Sequence, residues 1–218
     1  MASMGKVVIY GASGYTGGNI ARELVARGHQ VVGVARDASK ISIDGVQAVA
    51  GNITDLALLA ALASDADVVL SAVHHGRGFE GERGFASYIA DIAKVVANAG
   101  ARLGVVGGAG SLQVSEDGPC VYDTPDFPPQ FQTEARGAFA TLEALRKVNA
   151  GDWFYVSPAG GYGSYAPGER LGTYRTAFEV LVTDEAGKSF ISGEDFAIAM
   201  ADEIETPRHQ NIRFTVGY

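Results

Sequence analysis

Residues 6–17, KVVIYGASGYTG, join a short apolar run to three glycines that are spaced three residues apart. The run at 6–10 has the length and composition of a buried strand. Apolar residues at helical spacing follow over 16–28, and Gly28 is a natural end for such a helix. The stretch therefore predicts a strand, a glycine turn and a helix in direct succession, the setting in which a glycine motif becomes informative.

The glycines of this turn suit the binding of a dinucleotide. Gly11 permits a sharp turn at the strand end, Gly14 lets a pyrophosphate approach the backbone, and Gly17 lets the helix pack closely on the strand. The first helical turn then offers free N–H groups and the positive end of its dipole to the anion. The predicted contacts from this turn are Gly11, Ser13, Gly14, Tyr15, Thr16 and Gly17. A turn that merely links a strand to a helix is the alternative interpretation.

The end of the second predicted strand, 30–36, bears on the choice of cofactor. NAD-binding folds usually place Asp or Glu there to accept hydrogen bonds from the ribose hydroxyls. This chain has Arg36, whose guanidinium suits a 2′-phosphate, although Asp37 follows at once. We therefore predict NADP(H) in preference to NAD(H), with a solvated surface arginine as the alternative.

Composition narrows the classes of function. The net charge of −8 argues against a nucleic-acid partner, because phosphate backbones require a basic surface. The single cysteine, Cys120, excludes an internal disulfide and fits a reducing compartment. The histidines and Cys120 lack metal-ligand spacing, and no apolar run approaches the roughly 20 residues of a membrane span. Without a recognisable signal peptide, the expectation is a cytoplasmic protein with no metal, membrane or nucleic-acid partner.

Buried strands and helices alternate along most of the chain. Further strands are predicted at 46–50, 66–73, 102–106 and 152–158, and helices at 56–63, 83–99 and 133–148. This alternation predicts an α/β fold with a doubly wound parallel sheet and a crevice above the first and fourth strands. The C-terminal part differs, with short strands predicted at 178–182 and 189–191, a capped helix at 193–205 and a last strand at 211–217. We predict one domain, 1–218, in which 159–218 forms a small substrate-side lobe.

Residues 113–132 interrupt the alternation with prolines and acidic residues that show no periodicity. A long irregular segment at the carboxyl edge of a sheet is usually functional, so we interpret it as a lid or wall of a substrate pocket, with an ordinary surface loop as the alternative. A stacking wall for a planar substrate is predicted from aromatic side chains that are otherwise more often core residues. These are Phe127, Phe131, Tyr162 and Tyr165.

Six segments together resemble the provisionally named NADH-flavin reductase family, namely 11–17, 107–112, 123–128, 157–159, 167–170 and 214–218. This is an NAD(P)H-binding branch of the atypical short-chain dehydrogenase/reductases, near the NmrA-like proteins and the biliverdin-IXβ/flavin reductases. The match runs nearly end to end. The resemblance implies a Rossmann-like fold, a nicotinamide cofactor and a reductase activity.

Further cofactor contacts are predicted after the later strands. In related reductases an Asp or Asn at the position of Asn52 meets the adenine edge, and Ile53 adjoins it; Asn52 can also serve as a turn residue before a cap at Thr54 or Asp55. The fourth strand, 66–73, ends in the small residues Ser71 and Ala72, which leave room for ribose and phosphate. The predicted contacts are Ala72 and Val73 at the end of this strand, and Gly108 after the fifth. His74 and His75 follow and are interpreted as loop residues near the cofactor.

No tyrosine in the chain has a lysine four residues later. Short-chain dehydrogenases that reduce carbonyls use that pair, in which tyrosine protonates the developing alkoxide. A flavin or quinone instead accepts hydride into a conjugated ring and needs mainly proximity and stacking. We therefore predict an NADPH-dependent oxidoreductase with a planar flavin- or quinone-like acceptor, in which FMN or FAD would be a substrate and not a bound prosthetic group.

Ser111, after the fifth strand, is the predicted catalytic side chain, and a loop hydroxyl that satisfies the backbone is the alternative.

A non-catalytic NmrA-like dinucleotide sensor is the rival function. A sugar-nucleotide epimerase or dehydratase is disfavoured by the missing tyrosine–lysine pair and by the short C-terminal lobe.

Overall fold

A mostly parallel sheet forms the centre of the protein in the computed structural model, which describes residues 5–75 and 84–218. Its strands are β1 (Lys6–Tyr10), β2 (Gln30–Ala35), β3 (Val46–Ala50), β4 (Val68–Ser71), β5 (Arg102–Val106), β6 (Trp153–Ser157), β7 (Arg175–Ala177) and β8 (Ile212–Gly217). They lie in the order β3-β2-β1-β4-β5-β6-β8-β7. Neighbouring strands are parallel except for the antiparallel pair of β7 with β8.

Helices cover both faces of this sheet. They are α1 (Tyr15–Ala26), α2 (Leu56–Ala63), α3 (Ile89–Asn98), α4 (Gln132–Arg146) and α5 (Gly193–Glu205). On one face α1 and α5 bury Ile20 and Phe196, and on the other α2, α3 and α4 bury Leu59, Ile92 and Leu142. Because the central strands β1, β4, β5 and β6 are covered on both faces, nearly all of their residues are buried. The predicted doubly wound, Rossmann-like α/β fold is confirmed.

The order of the strands creates a crevice at the carboxyl edge of the sheet. The chain runs outward from β1 to β3 and then returns to place β4 on the other side of β1. Connections that leave β1 and β4 therefore diverge to opposite sides, and such a switch point is where open α/β sheets bind ligands. The glycine turn after β1 and the small residues after β4 both lie at this edge.

The two predicted elements that differ most in length from the structure are the fourth strand and the third helix. The strand predicted at 66–73 is confined to β4, Val68–Ser71. The helix predicted at 83–99 begins only at Ile89, after a 3₁₀ turn at Gly84–Ser87; residue 83 lies outside the described residues. Gly84 has a φ of +52°, and the Phe85 N–H donates to the His75 carbonyl oxygen at 2.9 Å, so the chain turns back towards the preceding loop before α3 begins.

The short strands predicted at 178–182 and 189–191 were wrong. These segments make isolated bridges, Gln113 with Val180 and Gly161 with Phe190, because their partners are loops and not sheet strands. The strand of this region is instead β7, which pairs with the end of β8.

Residues 159–218 contribute α5, β7 and β8, and their role as a substrate-side lobe stays a prediction. The helix predicted at 193–205 is α5, and its N-cap is Ser192, whose hydroxyl oxygen accepts from the Asp195 N–H at 3.0 Å. In the described ranges, 5–75 and 84–218, no helix is both long enough and apolar enough to cross a bilayer.

Candidate functional site

Two positions of the glycine turn, Gly11 and Gly17, are closed to any side chain, and the third, Gly14, is open to solvent. Gly11 has a φ of +89°, and a Cβ there would overlap the Ala72 carbonyl oxygen. A Cβ on Gly17 would overlap the Gly11 carbonyl oxygen, because α1 packs directly on the turn. At Gly14 the same test meets only the Gly11 oxygen, at 3.2 Å, and the residue is exposed. The turn therefore faces solvent at Gly14, the position where a phosphate has to approach the backbone.

The amino end of α1 adjoins this open space. Gly14 is its N-cap, with φ −85° and ψ 172°, and no side chain caps it. An uncapped helix end leaves backbone N–H groups without intrahelical partners and concentrates the positive end of the helix dipole. Ser13 is exposed beside Gly14, whereas Ala12 and Gly17 are buried. The turn can thus bind an anion through backbone N–H groups and the Ser13 hydroxyl.

Arg36 and Asp37, at the end of β2, differ in how their side chains are used. The Asp37 carboxylate accepts from the Ser39 N–H at 3.1 Å and from the Ser39 hydroxyl at 2.6 Å, and these bonds lower the pKa of Asp37 below its ordinary value. Arg36 is exposed, and no hydrogen bond or ion pair links its side chain to the described part of the chain. The carboxylate is therefore engaged in its own turn, while the guanidinium is available.

The segment after β3 ends in a well-defined helix cap. The Asn52 side-chain oxygen accepts from the Thr54 N–H at 3.2 Å, and Asp55 caps α2 by accepting from the Leu58 N–H at 3.1 Å. Of the two caps left open, Asp55 is the one observed. The Asn52 amide group keeps its donors for a ligand, whereas Ile53 is buried and could meet a ligand only through its backbone.

His75 ties the end of β4 to the neighbouring elements. Its Nε2 lies 2.7 Å from the Val106 carbonyl oxygen and donates to it, and its Nδ1 lies 2.9 Å from the Thr141 hydroxyl. The His75 backbone N–H donates to Glu134 at 2.6 Å. Burial lowers the pKa of His75. The ring is inaccessible, so it supports the wall after β4, near Ala72 and Val73, and does not act in chemistry.

Ser111 lies in a 3₁₀ turn, Ala109–Ser111, for which Gly108 is the N-cap. Its hydroxyl oxygen accepts from Arg213 Nη1 at 2.7 Å, and its carbonyl oxygen accepts from Arg213 Nη2 at 3.3 Å. Arg213 is buried and also pairs with Glu179. Because a guanidinium only donates, the Ser111 hydroxyl keeps its own proton to donate elsewhere. Ser111 is only 3% exposed, and its catalytic role stays a prediction.

Arg213 is the site residue that sequence reasoning missed. It lies 102 residues from Ser111, so no local spacing relates the two. The available signal was a charged residue inside an apolar run that is otherwise typical of a buried strand, because such a charge requires a partner.

Tyr162 connects the loop after β6 to the glycine turn. Its hydroxyl donates to the Thr16 hydroxyl oxygen at 2.9 Å, and its ring packs edge-on against Tyr15 at 5.7 Å between centroids. Burial raises the pKa of Tyr162 well above its ordinary value, so the phenol stays protonated and donates. Thr16 accepts this bond and keeps its own proton to donate to a ligand.

Phe131 and Tyr165 stack on each other, with ring centroids 6.3 Å apart and planes inclined by 22°. Both are exposed, at 42% and 68% respectively. Phe127 is half-buried in a turn, where its N–H donates to the Thr124 carbonyl oxygen at 3.2 Å, and no ring contact among the described residues joins it to this pair. The structure therefore brings together two members of the predicted aromatic wall and leaves Phe127 apart.

The segment 113–132 is held in place by hydrogen bonds. The Gln113 carbonyl oxygen accepts from the Leu181 N–H at 2.9 Å, and the Gln113 N–H donates to the Glu179 carbonyl oxygen at 2.8 Å. The Gln132 side chain donates to the Tyr122 carbonyl oxygen at 2.9 Å. Phe131 lies near the end of this segment, which therefore supplies one ring of the stacked pair. No cluster of possible metal ligands occurs among the residues that the structure describes.

Comparison with known proteins agrees with this geometry. The sequence profile of the NAD(P)H-binding family matches residues 11–207. YwnB of Bacillus subtilis, an uncharacterised protein, is 34% identical over 217 residues, which cover 97% of each chain.

Two solved structures share the whole fold. A Streptococcus pneumoniae protein provisionally named an NADH-flavin reductase is 30% identical, with a TM-score of 0.79, over 98% of this chain and 99% of the other. A Bacteroides thetaiotaomicron protein provisionally named an epimerase is 31% identical, with a TM-score of 0.85, over 99% of this chain and 98% of the other. Since the family profile spans most of the chain and includes the glycine turn, the chain belongs to the NAD(P)H-binding family.

Proposed function

We propose that the protein is an NADPH-dependent reductase that transfers hydride to a planar flavin- or quinone-like acceptor. The observation that carries this proposal is the uncapped amino end of α1 behind the open position at Gly14, at the same edge of the sheet as the exposed Phe131–Tyr165 pair. The first feature suits a pyrophosphate and the second suits a flat ring.

The preference for NADPH rests on Arg36 and Asp37. A 2′-phosphate needs a cation at the end of β2, whereas a free ribose diol needs a carboxylate acceptor. Arg36 is exposed and available, and the Asp37 carboxylate is already bound to Ser39. Asn52, Ile53, Ala72, Val73 and Gly108 would line the remainder of the dinucleotide crevice.

The chemistry of the acceptor follows from what the chain can supply. When bound, a reduced nicotinamide supplies the hydride. A flavin or quinone spreads the charge it receives over a conjugated ring, so water can supply the proton and the protein has only to bind and orient the ring. FMN or FAD is proposed here as a substrate. A ketone would need a placed acid, and the tyrosine–lysine pair that serves this purpose in related enzymes is missing from the sequence.

The rival function is a dinucleotide sensor without turnover. The burial of Ser111 favours it, because a hydroxyl that is 3% exposed is poorly placed to donate a proton to an external substrate. An epimerase is less well supported, since exchange of a proton or hydride at a sugar carbon requires the acid–base pair that the chain lacks.

Steady-state consumption of NADPH separates the two functions. We expect added FMN or menadione to drive continuous loss of NADPH absorbance in proportion to protein concentration. Saturable binding of NADPH with no turnover in the presence of either acceptor would support the sensor instead. A small-molecule partner and a cytoplasmic location, where NADPH is available, are part of this proposal.

A further inference from the structure

The Phe131–Tyr165 pair spans the carboxyl edge of the sheet. Phe131 is the N-cap of α4, and in this parallel fold each crossover helix begins at the carboxyl edge. Tyr165 lies in the loop that follows β6, at the same edge, and that loop is anchored to α1. Because α4 and α1 pack on opposite faces of the sheet, the two rings meet across the edge between the layers.

The loop that carries Tyr165 is fixed to the glycine turn. The Ala166 N–H donates to the Gly163 carbonyl oxygen at 2.9 Å and closes a tight turn around Tyr165. The Tyr162 hydroxyl binds Thr16, in the first turn of α1. Three residues of chain span at most about 10 Å, so the Tyr165 backbone lies within that distance of Tyr162. The aromatic pair is thus held near the turn that is proposed to bind the pyrophosphate.

The exposure of the pair is unusual for a structural contact. Aromatic rings that stabilise a fold are normally buried, whereas these are 42% and 68% exposed and contact each other almost in parallel. Near-parallel, solvent-exposed rings offer a surface on which a further flat ring can stack.

We propose that Phe131 and Tyr165 bind the ring of the acceptor, which stacks on this pair at the mouth of the dinucleotide crevice. The inference rests on the proposed reductase function and adds to it the residues that select a planar acceptor. Stacking provides the affinity for the ring and tolerates its polar substituents, so flavins and naphthoquinones both bind to this surface.

Binding of FMN and of menadione, measured separately by titration calorimetry in the absence of turnover, tests the inference. We expect Tyr165→Ala and Phe131→Leu each to weaken both ligands by about 3- to 10-fold, the value of one aromatic stacking contact. Tyr165→Phe keeps the ring and should bind like the unmodified protein. With turnover, KM for the acceptor should rise while kcat changes little.

Phe178→Ala is the matched control, because Phe178 is an aromatic residue of similar exposure, 58%, that contacts His209 instead. It should leave the binding of both rings unchanged. The inference is overturned if Tyr165→Ala and Phe131→Leu bind both rings as tightly as the unmodified protein, if Phe178→Ala weakens them equally, or if the unmodified protein binds neither ring. Titration with NADP⁺ distinguishes this failure from failure of the proposed function, since retained nucleotide binding would show that the dinucleotide site is intact.

Discussion

The Arg213 guanidinium donates to the Ser111 hydroxyl oxygen at 2.7 Å and to the Ser111 carbonyl oxygen at 3.3 Å, which joins β8 to the turn after β5. A buried guanidinium that loses an acceptor keeps its desolvation cost without compensation. The contact therefore gives Ser111 a role in stability that is independent of any role in turnover.

Ser111→Ala should lower the free energy of unfolding by about 1–3 kcal/mol, because Arg213 Nη1 loses its acceptor in a buried site. Chemical denaturation measures this change, and Ser115→Ala, at an exposed serine in the following loop, should change it by less than about 0.5 kcal/mol. If Ser111 also acts on the substrate, kcat falls while the affinity for NADP⁺ stays the same. Unchanged stability in Ser111→Ala would contradict the assigned contact.

Gly14 and Gly17 should respond in opposite ways to the same substitution. Gly14→Ala adds a methyl group whose one close neighbour is the Gly11 carbonyl oxygen, at 3.2 Å, so it should cost less stability than Gly17→Ala; it should weaken the binding of NADP⁺ by at least about tenfold, because the methyl group occupies the phosphate's place. Gly17→Ala forces the new methyl group against the Gly11 carbonyl oxygen and should cost about 1–3 kcal/mol of stability.

Gly18→Ala is the control for both variants, since the added methyl group would meet the Ala12 oxygen at an ordinary 3.4 Å. Thermal unfolding and calorimetry with NADP⁺ separate the two effects. A Gly14→Ala protein that binds NADP⁺ normally would remove the glycine turn from the binding site.

Local sequence pattern was sufficient for elements that carry their own signals. The apolar runs of β3, α2 and β5 are bounded by turn residues, and the predicted and observed ranges agree at 46–50, 56–63 and 102–106. The strand β7 was missed because its residues, Arg175–Ala177, have no strand pattern, and they are extended through pairing with the edge of β8.

The same distinction between local and long-range signals applies to the candidate site. The glycine turn is contiguous in sequence, and its geometry follows from the steric needs of Gly11 and Gly17. The Tyr162–Thr16 hydrogen bond joins residues 146 apart, and only the topology of the sheet brings them together. Sequence spacing therefore predicted which residues were candidates, whereas the pairing of those candidates required the fold.

Arg36→Ala should weaken the binding of NADPH by about 10- to 100-fold and change the affinity for NADH by no more than about twofold. The reason is that the charge-assisted hydrogen bonds that are lost go to the 2′-phosphate alone. Calorimetry with both nucleotides measures the difference. Lys40→Ala is the matched control, a cation in the next turn whose loss should affect both nucleotides little. Equal loss of NADPH and NADH in Arg36→Ala would rule out the phosphate assignment.

His75 should make the protein sensitive to mild acid. Burial lowers the pKa of His75 in the folded state, while Glu134 opposes and His74 adds to the shift. The unfolded chain, with an ordinary histidine pKa near about 6.5, then binds the proton more readily than the folded chain. The stability due to neutral His75 is therefore complete above about pH 6.5 and is lost as the pH falls below that value.

Melting temperatures between about pH 7.5 and 5.5 should fall less steeply in His75→Gln than in the unmodified protein. The melting temperature of His75→Gln at about pH 7.5 should itself be lower, because the Val106 and Thr141 contacts are weakened. His74→Gln, at an exposed ring that makes only a minor contribution to the shift, should change the slope less than His75→Gln does. An identical slope in His75→Gln would show that another group governs the acid response.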